Sequence, residues 1–245
     1  MSFAGTIRTR PLGFLFGLAS VSLAALLLLP PIPQSQIYHG FADQRTLYGI
    51  PNFWNVVSNL PFMLVGVLGL ANANVRRELS ASLFFLGVLL TGFSSSYYHW
   101  QPSDWGLFWD RLPMSVAFMA ILANVVEERI DARVGKLLLW PLVALGVVSL
   151  LIWLRTDDLR LYAWVQFFPC VVLPLVFVLF TPKYSGTGYW FAAAGFYLVA
   201  KLLEYFDAAV YSALGVMSGH PLKHVAAAGA CYAIYLAFRT RKPVA

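Results

Sequence analysis

Apolar residues in this chain gather into long runs broken by short polar clusters, a pattern that differs from the mixed rhythm of a helix with one wet face. A helix needs about 20 mostly apolar residues to cross the hydrocarbon core of a bilayer. Runs of that order cover 12–29, 53–70, 81–98, 111–126, 137–154, 161–180, 189–210 and 221–238. The pattern predicts an all-α integral membrane protein with short connections and no second core. Run 12–29 follows Arg8 and Arg10, as a signal peptide would. Its apolar stretch is longer than a signal core and no A-x-A pattern follows it, so a retained span is expected.

Composition sharpens this picture. The chain is 60% hydrophobic and 11% charged, whereas soluble domains carry about 25% charged residues. A net charge of +6 would suit a nucleic-acid surface, but the basic residues sit in short loops between apolar runs, where they set membrane orientation. No nucleic-acid partner is expected. Alternate loops divide them unequally. One side receives Arg8, Arg10, Arg76, Arg77, Arg129, Arg133, Lys136, Lys183, Arg239, Arg241 and Lys242; the other receives Arg45, Arg111, Arg155, Arg160 and Lys223. The richer side, with both termini, is expected to be cytoplasmic. Cys170 and Cys231 fall inside apolar runs and carry no redox information. Trp100, Trp105 and Trp109 cluster between the third and fourth runs as interfacial anchors do.

His39, His99, His220 and His224 all fall on the predicted extracytoplasmic side although they come from three parts of the sequence. His220 and His224 are four residues apart, so on a helix both rings leave one face and can share an ion. Pro221 suits a first helical turn and puts the pair at the helix mouth. With His99 the set becomes three protein ligands and an open fourth position, the arrangement of a catalytic zinc site. Ser95 lies one turn before His99 on the same face; its alternative is a hydrogen bond to its own helix or a neighbour. Asp110 stands at the start of the fourth run, where a carboxylate can cap a helix or pair with Arg111, yet charge at membrane depth is costly and usually functional. Lys201, Glu204 and Asp207 raise the same question near the outward end of the seventh run. Lys201 and Glu204 can neutralise each other at i, i+3. These three are candidates for supporting the site or lining a substrate channel.

Three blocks together resemble the alkaline ceramidase family, within the superfamily of zinc-dependent membrane hydrolases that includes adiponectin-type receptors: Phe53-Trp54-Asn55-Val56-Val57-Ser58-Asn59-Leu60-Pro61, Ser95-x-x-x-His99 followed by Asp110-Arg111-Leu112-Pro113-Met114, and Gly219-His220-x-x-x-His224. The resemblance runs from about Phe53 onward. It implies a seven-transmembrane-helix core in residues 35–245, with residues 1–34 as a cytoplasmic stub and one extra N-terminal helix. It implies zinc on His99, His220 and His224, catalytic roles for Ser95 and Asp110, and hydrolysis of the ceramide amide to a sphingoid base and a fatty acid. Eukaryotic members place an acidic calcium-binding segment just before the F-W-N block. Here residues 41–52 hold Asp43 as their one acid, and calcium takes six to eight oxygens. Asp43, Asn52 and Asn55 remain as oxygen donors for calcium or substrate, a poor set for calcium.

The expected chemistry is attack by an activated water on a lipid amide carbonyl, with Asp110 moving the proton and Ser95 donating to the oxyanion. The apolar walls suit a long-chain membrane lipid as partner and leave open ceramide, another lipid amide or an ester. A receptor or scaffold of the adiponectin type would use the same zinc for structure and would call for a sizeable cytoplasmic domain. A transporter would explain Glu204 and Asp207, but no inverted repeat or broken-helix pattern is visible.

Overall fold

In hydrocarbon a backbone can satisfy its own polar groups by coiling, so each apolar run becomes a helix. The computed structural model describes residues 11–244; Arg8 and Arg10 lie outside them. In chain order the helices are α1 Pro11–Leu27, α2 Phe53–Val57, α3 Leu60–Ala71, α4 Ala73–Arg76, α5 Leu79–Trp100, α6 Asp104–Arg129, α7 Ala132–Thr156, α8 Arg160–Leu179, α9 Thr187–Tyr205, α10 Asp207–Leu214 and α11 Gly219–Thr240. Among the described residues there is no strand, and pairing is confined to two isolated bridges.

Five helical units are long and apolar enough to cross a membrane: Phe53–Ala71, Leu79–Trp100, Asp104–Arg129, Ala132–Thr156 and Arg160–Leu179. Helices α9 and α11 match them in length, but Lys201, Glu204, His220, Lys223 and His224 dilute their hydropathy. The protein is all-α and membrane-embedded. Helices α3, α5, α6, α8, α9 and α11 close a ring, each packed on the next and α11 back on α3. Helix α7 leans on α6 and α8 from outside; 28% of its apolar window is buried, against 72% for α6. Helix α1 packs on α8, buries none of its residues, and gives Ser22 as acceptor to Trp164 Nε1 at 3.0 Å. Small residues let the ring tighten: a Cβ at Gly66 would stand 2.6 Å from the Leu89 Cα, so α3 and α5 touch backbone to backbone.

Three boundaries differ from those the hydropathy pattern predicts. The fourth run starts at 111, but α6 starts at Asp104, where the Ser103 hydroxyl caps the Gly106 N–H at 3.1 Å. Asp110 therefore sits within α6, not at its mouth. The second run breaks at Ser58-Asn59 and the seventh at Phe206, next to the Ser58 and Asp207 side chains that reach the site. Trp100, Trp105 and Trp109 are all more than 40% exposed, as an interfacial belt would be.

The two ends of the bundle differ. At one, Arg241 bonds Glu78 and the Asn74 carbonyl, and Lys183 reaches the Glu127 carbonyl. The histidines lie at the other. There the segment after α1 is tied to the α7–α8 turn: Asp157 and Asp158 accept from the Gln34 and Ile32 N–H groups, and the Leu159 N–H donates to the Ile32 carbonyl at 2.8 Å. Hydrogen bonds from the Arg160 side chain hold the Asp158 carboxyl down at about 2.

Candidate metal centre and adjoining chamber

His99 closes α5, and His220 and His224 open α11 one turn apart. All three are buried, their ring centroids 4.9 to 5.0 Å apart. One ring nitrogen from each lies within 4.8 Å of the other two, so the group could hold one metal ion. His99 Nδ1 and His220 Nε2 have no hydrogen-bond partner. Unpaired nitrogens are costly in a buried place, and a cation that accepts their lone pairs removes that cost.

The second layer is specific. Ser58 Oγ lies 2.8 Å from His224 Nδ1 and 3.3 Å from the Asn55 carbonyl. A hydroxyl proton placed on that carbonyl leaves the oxygen to accept from Nδ1–H, the tautomer whose Nε2 lone pair is free for a metal. Asp207 Oδ1 accepts from the His220 N–H at 2.6 Å, and Oδ2 from the Ala42 N–H at 3.0 Å. It thus ties α11 to the segment that carries Phe41, whose ring packs edge-on against His99 and His220. A Cβ at Gly219 would overlap the Leu203 carbonyl oxygen, so glycine lets α11 start against α9 and delivers His220 to the cluster. Loss of the Ser58 contact is expected to weaken metal binding: Ser58→Ala should lower affinity about 10- to 100-fold by metal titration. Unchanged affinity would show the hydroxyl to be a packing group.

Beside the histidines is a chamber of about 290 Å³ lined by His224, Ser95, Asp110, Arg111, Lys201, Glu204 and Lys223 among others. Ser95 lines this chamber together with Asp110, whose Oδ1 is buried and unpaired. Phe62, Thr91, Met114, Tyr197 and Ala227 line both this chamber and a second of about 200 Å³, walled by apolar side chains such as Val88, Ile121, Phe177 and Ile234. The two adjoin along these side chains, so a polar space lies beside an apolar one inside the bundle.

The family model described as Ceramidase matches residues 44–187. The chain belongs to the ceramidase family. No curated protein matches it. Membership makes it a ceramidase-like hydrolase of the membrane, with amide bonds as the class of target. The matched stretch holds Ser95, His99 and Asp110, and the fold adds His220 and His224 from beyond it.

Other candidates of this ceramidase-family chain lie elsewhere. His39 bonds Tyr98 and Asp104, outside the triad. Asn52, in left-handed backbone at φ 48°, donates to the His99 carbonyl and fastens the end of α5. Asn55 donates to the Asp43 carbonyl. Both Asp43 carboxylate oxygens are taken by Arg45 at 2.8 and 2.7 Å, which holds the Asp43 carboxyl below its usual range. Arg45 also donates to the Val216 carbonyl at 2.7 Å. A guanidinium stands where a calcium ion would need those oxygens, so these residues do not fit calcium. Glu204 pairs with Lys201 and Lys223 and accepts from Tyr38 at 3.2 Å. Ser58 and Phe41 had no assigned role in the sequence, and Arg111 stood there only as a partner for Asp110. Ser58 lay inside the F-W-N block, but its partner is 166 residues away.

Proposed function

We propose that the chain is a zinc-dependent intramembrane hydrolase that cleaves the amide of a ceramide-like lipid, releasing a long-chain amine and a fatty acid; with ceramide itself the amine would be a sphingoid base. The observation that carries this is the meeting of three buried imidazoles, two with unpaired nitrogens, beside a chamber that His224, Ser95 and Asp110 line and that adjoins apolar space. Three nitrogen ligands and no carboxylate suit zinc, and the side facing the chamber supplies an open position.

A zinc ion held there would supply Lewis acidity and lower the pKa of a coordinated water toward about 7. His99, His220 and His224 hold it, and Ser58 keeps His224 in the ligating tautomer. The apolar chamber takes the acyl chain, which sets the amide carbonyl between the histidines and α6. Ser95 donates its proton to the carbonyl oxygen as negative charge grows there. Asp110 accepts a proton from the attacking water and returns it to the amine nitrogen as the C–N bond breaks. Residues 35–245 form the hydrolase domain and residues 1–34 an appended stub and helix, a division supported by the peripheral seat of α1 on α8. The basic end of the bundle faces the cytoplasm with both termini, and the chamber faces the extracytoplasmic leaflet.

Metal analysis of the purified protein should give near one zinc per chain. Mass spectrometry of ceramide incubated with it should reveal the free acid and amine, absent with His220→Ala. Zinc-loaded protein that cleaves no lipid amide would end this reading.

A further inference from the structure

Arg111 is 7% exposed, and its side chain makes no hydrogen bond or ion pair with any described residue; its Nη1 is buried and unpaired. What holds it is aromatic. The guanidinium carbon stands 4.7 Å from the ring centroids of Trp153 and Tyr162 and 5.7 Å from that of Tyr38. Ring faces offset the charge yet use none of the five N–H donors. An arginine so held is pre-positioned and keeps its hydrogen-bonding capacity for something outside the protein.

It lines the reaction chamber, whose charged residues are Asp110, Arg111, Lys201, Glu204 and Lys223. Three are cationic and two anionic. Glu204 is shared by both lysines, and Asp110, the neighbour of Arg111 in sequence, forms no ion pair with it. A cationic surplus inside a membrane protein calls for an anion. Position says which end of the ligand brings it. The apolar chamber extends from Phe62, Thr91 and Met114 into the bundle, whereas Arg111 shares its wall with Ile32, Tyr38 and Leu159 from the loops at the mouth. With the acyl chain inside and the carbonyl at the histidines, the amine half of the amide lies against Arg111.

We propose that Arg111 binds an anionic group, carboxylate or phosphate, on the amine half of the substrate, and so makes the enzyme selective for anionic lipid amides over neutral ones. This rests on the hydrolase reading above. The same guanidinium could meet the carboxylate of the fatty-acid product, and the test separates the two.

Zinc-loaded full-length protein in detergent is given N-lauroylglycine or N-lauroylethanolamine, which share an acyl chain and differ in an anionic or neutral head. Wild type should favour the glycine conjugate about 10- to 100-fold in kcat/KM, mostly through KM. Arg111→Gln should bring that ratio close to one, and Arg111→Lys should restore part of it. Equal or better use of the neutral amide by wild type overturns the proposal. So does a result in which Arg111→Gln relieves inhibition by lauric acid while the head-group ratio stays fixed, because the guanidinium would then serve the product. If neither amide is cleaved, and ceramide is not cleaved either, the hydrolase reading has failed. The selectivity is then read from the shift in Tm each lipid gives: a larger shift with N-lauroylglycine, lost in Arg111→Gln, upholds it, and equal shifts overturn it.

Discussion

Replacing His99 by alanine is expected to leave a folded bundle without its ion: zinc per chain should fall to near zero, and amide hydrolysis should drop on the order of 10⁴-fold or more as the pKa of the attacking water climbs from about 7 back toward that of bulk water. The size of the effect follows from the geometry. His220 and His224 share one helix, and His99 alone brings a nitrogen from α5. Two imidazoles one turn apart grip an ion weakly; the third crosses the ring and makes the site polydentate. The rest of α5 stays anchored, with Phe84, Phe85 and Val88 buried in the core. Emission spectrometry for zinc, lipid turnover and circular dichroism should therefore separate loss of ion from loss of fold. A variant that keeps both zinc and turnover would show that these rings do not share a ligand sphere.

Asp110→Asn should do the opposite to the metal and nearly as much to the rate. Zinc is expected to stay, because Asp110 is outside the triad. Turnover should fall about 10²- to 10⁴-fold, the usual contribution of a positioned proton carrier. Asparagine keeps the shape and can still face Ser95, but it cannot accept a proton and pass it on. Single-turnover hydrolysis with zinc measured in the same samples provides the check. Loss of zinc would make Asp110 a ligand, and a rate within a few-fold of wild type would remove it from the proton path.

Much of the fold was legible in the residues. The hydropathy runs foretold the helices because hydrocarbon leaves a backbone little other choice. The i, i+4 spacings of Ser95 with His99 and of His220 with His224 fixed shared faces before any coordinates were known. What stayed hidden depends on distance in sequence or on breaks in helices. Ser58 looked like part of an unbroken span, and only the break at Ser58-Asn59 turns its hydroxyl to His224. Asp207 reads as one more acid near a helix end, although it bonds two backbone N–H groups from segments far apart in the chain. Arg111 next to Asp110 suggests a local ion pair. Its aromatic cage comes from Tyr38, Trp153 and Tyr162, on three other segments.

The order of the helices sets when the three histidines can meet. Two of the three histidines ride on α11, which follows every other described helix, and membrane chains are threaded in from the amino-terminal side. While the earlier spans are being inserted, the nascent chain has Ser95, His99 and Asp110 but no pair to complete them. On the function proposed above, hydrolytic power arrives only once α11 has joined the bundle.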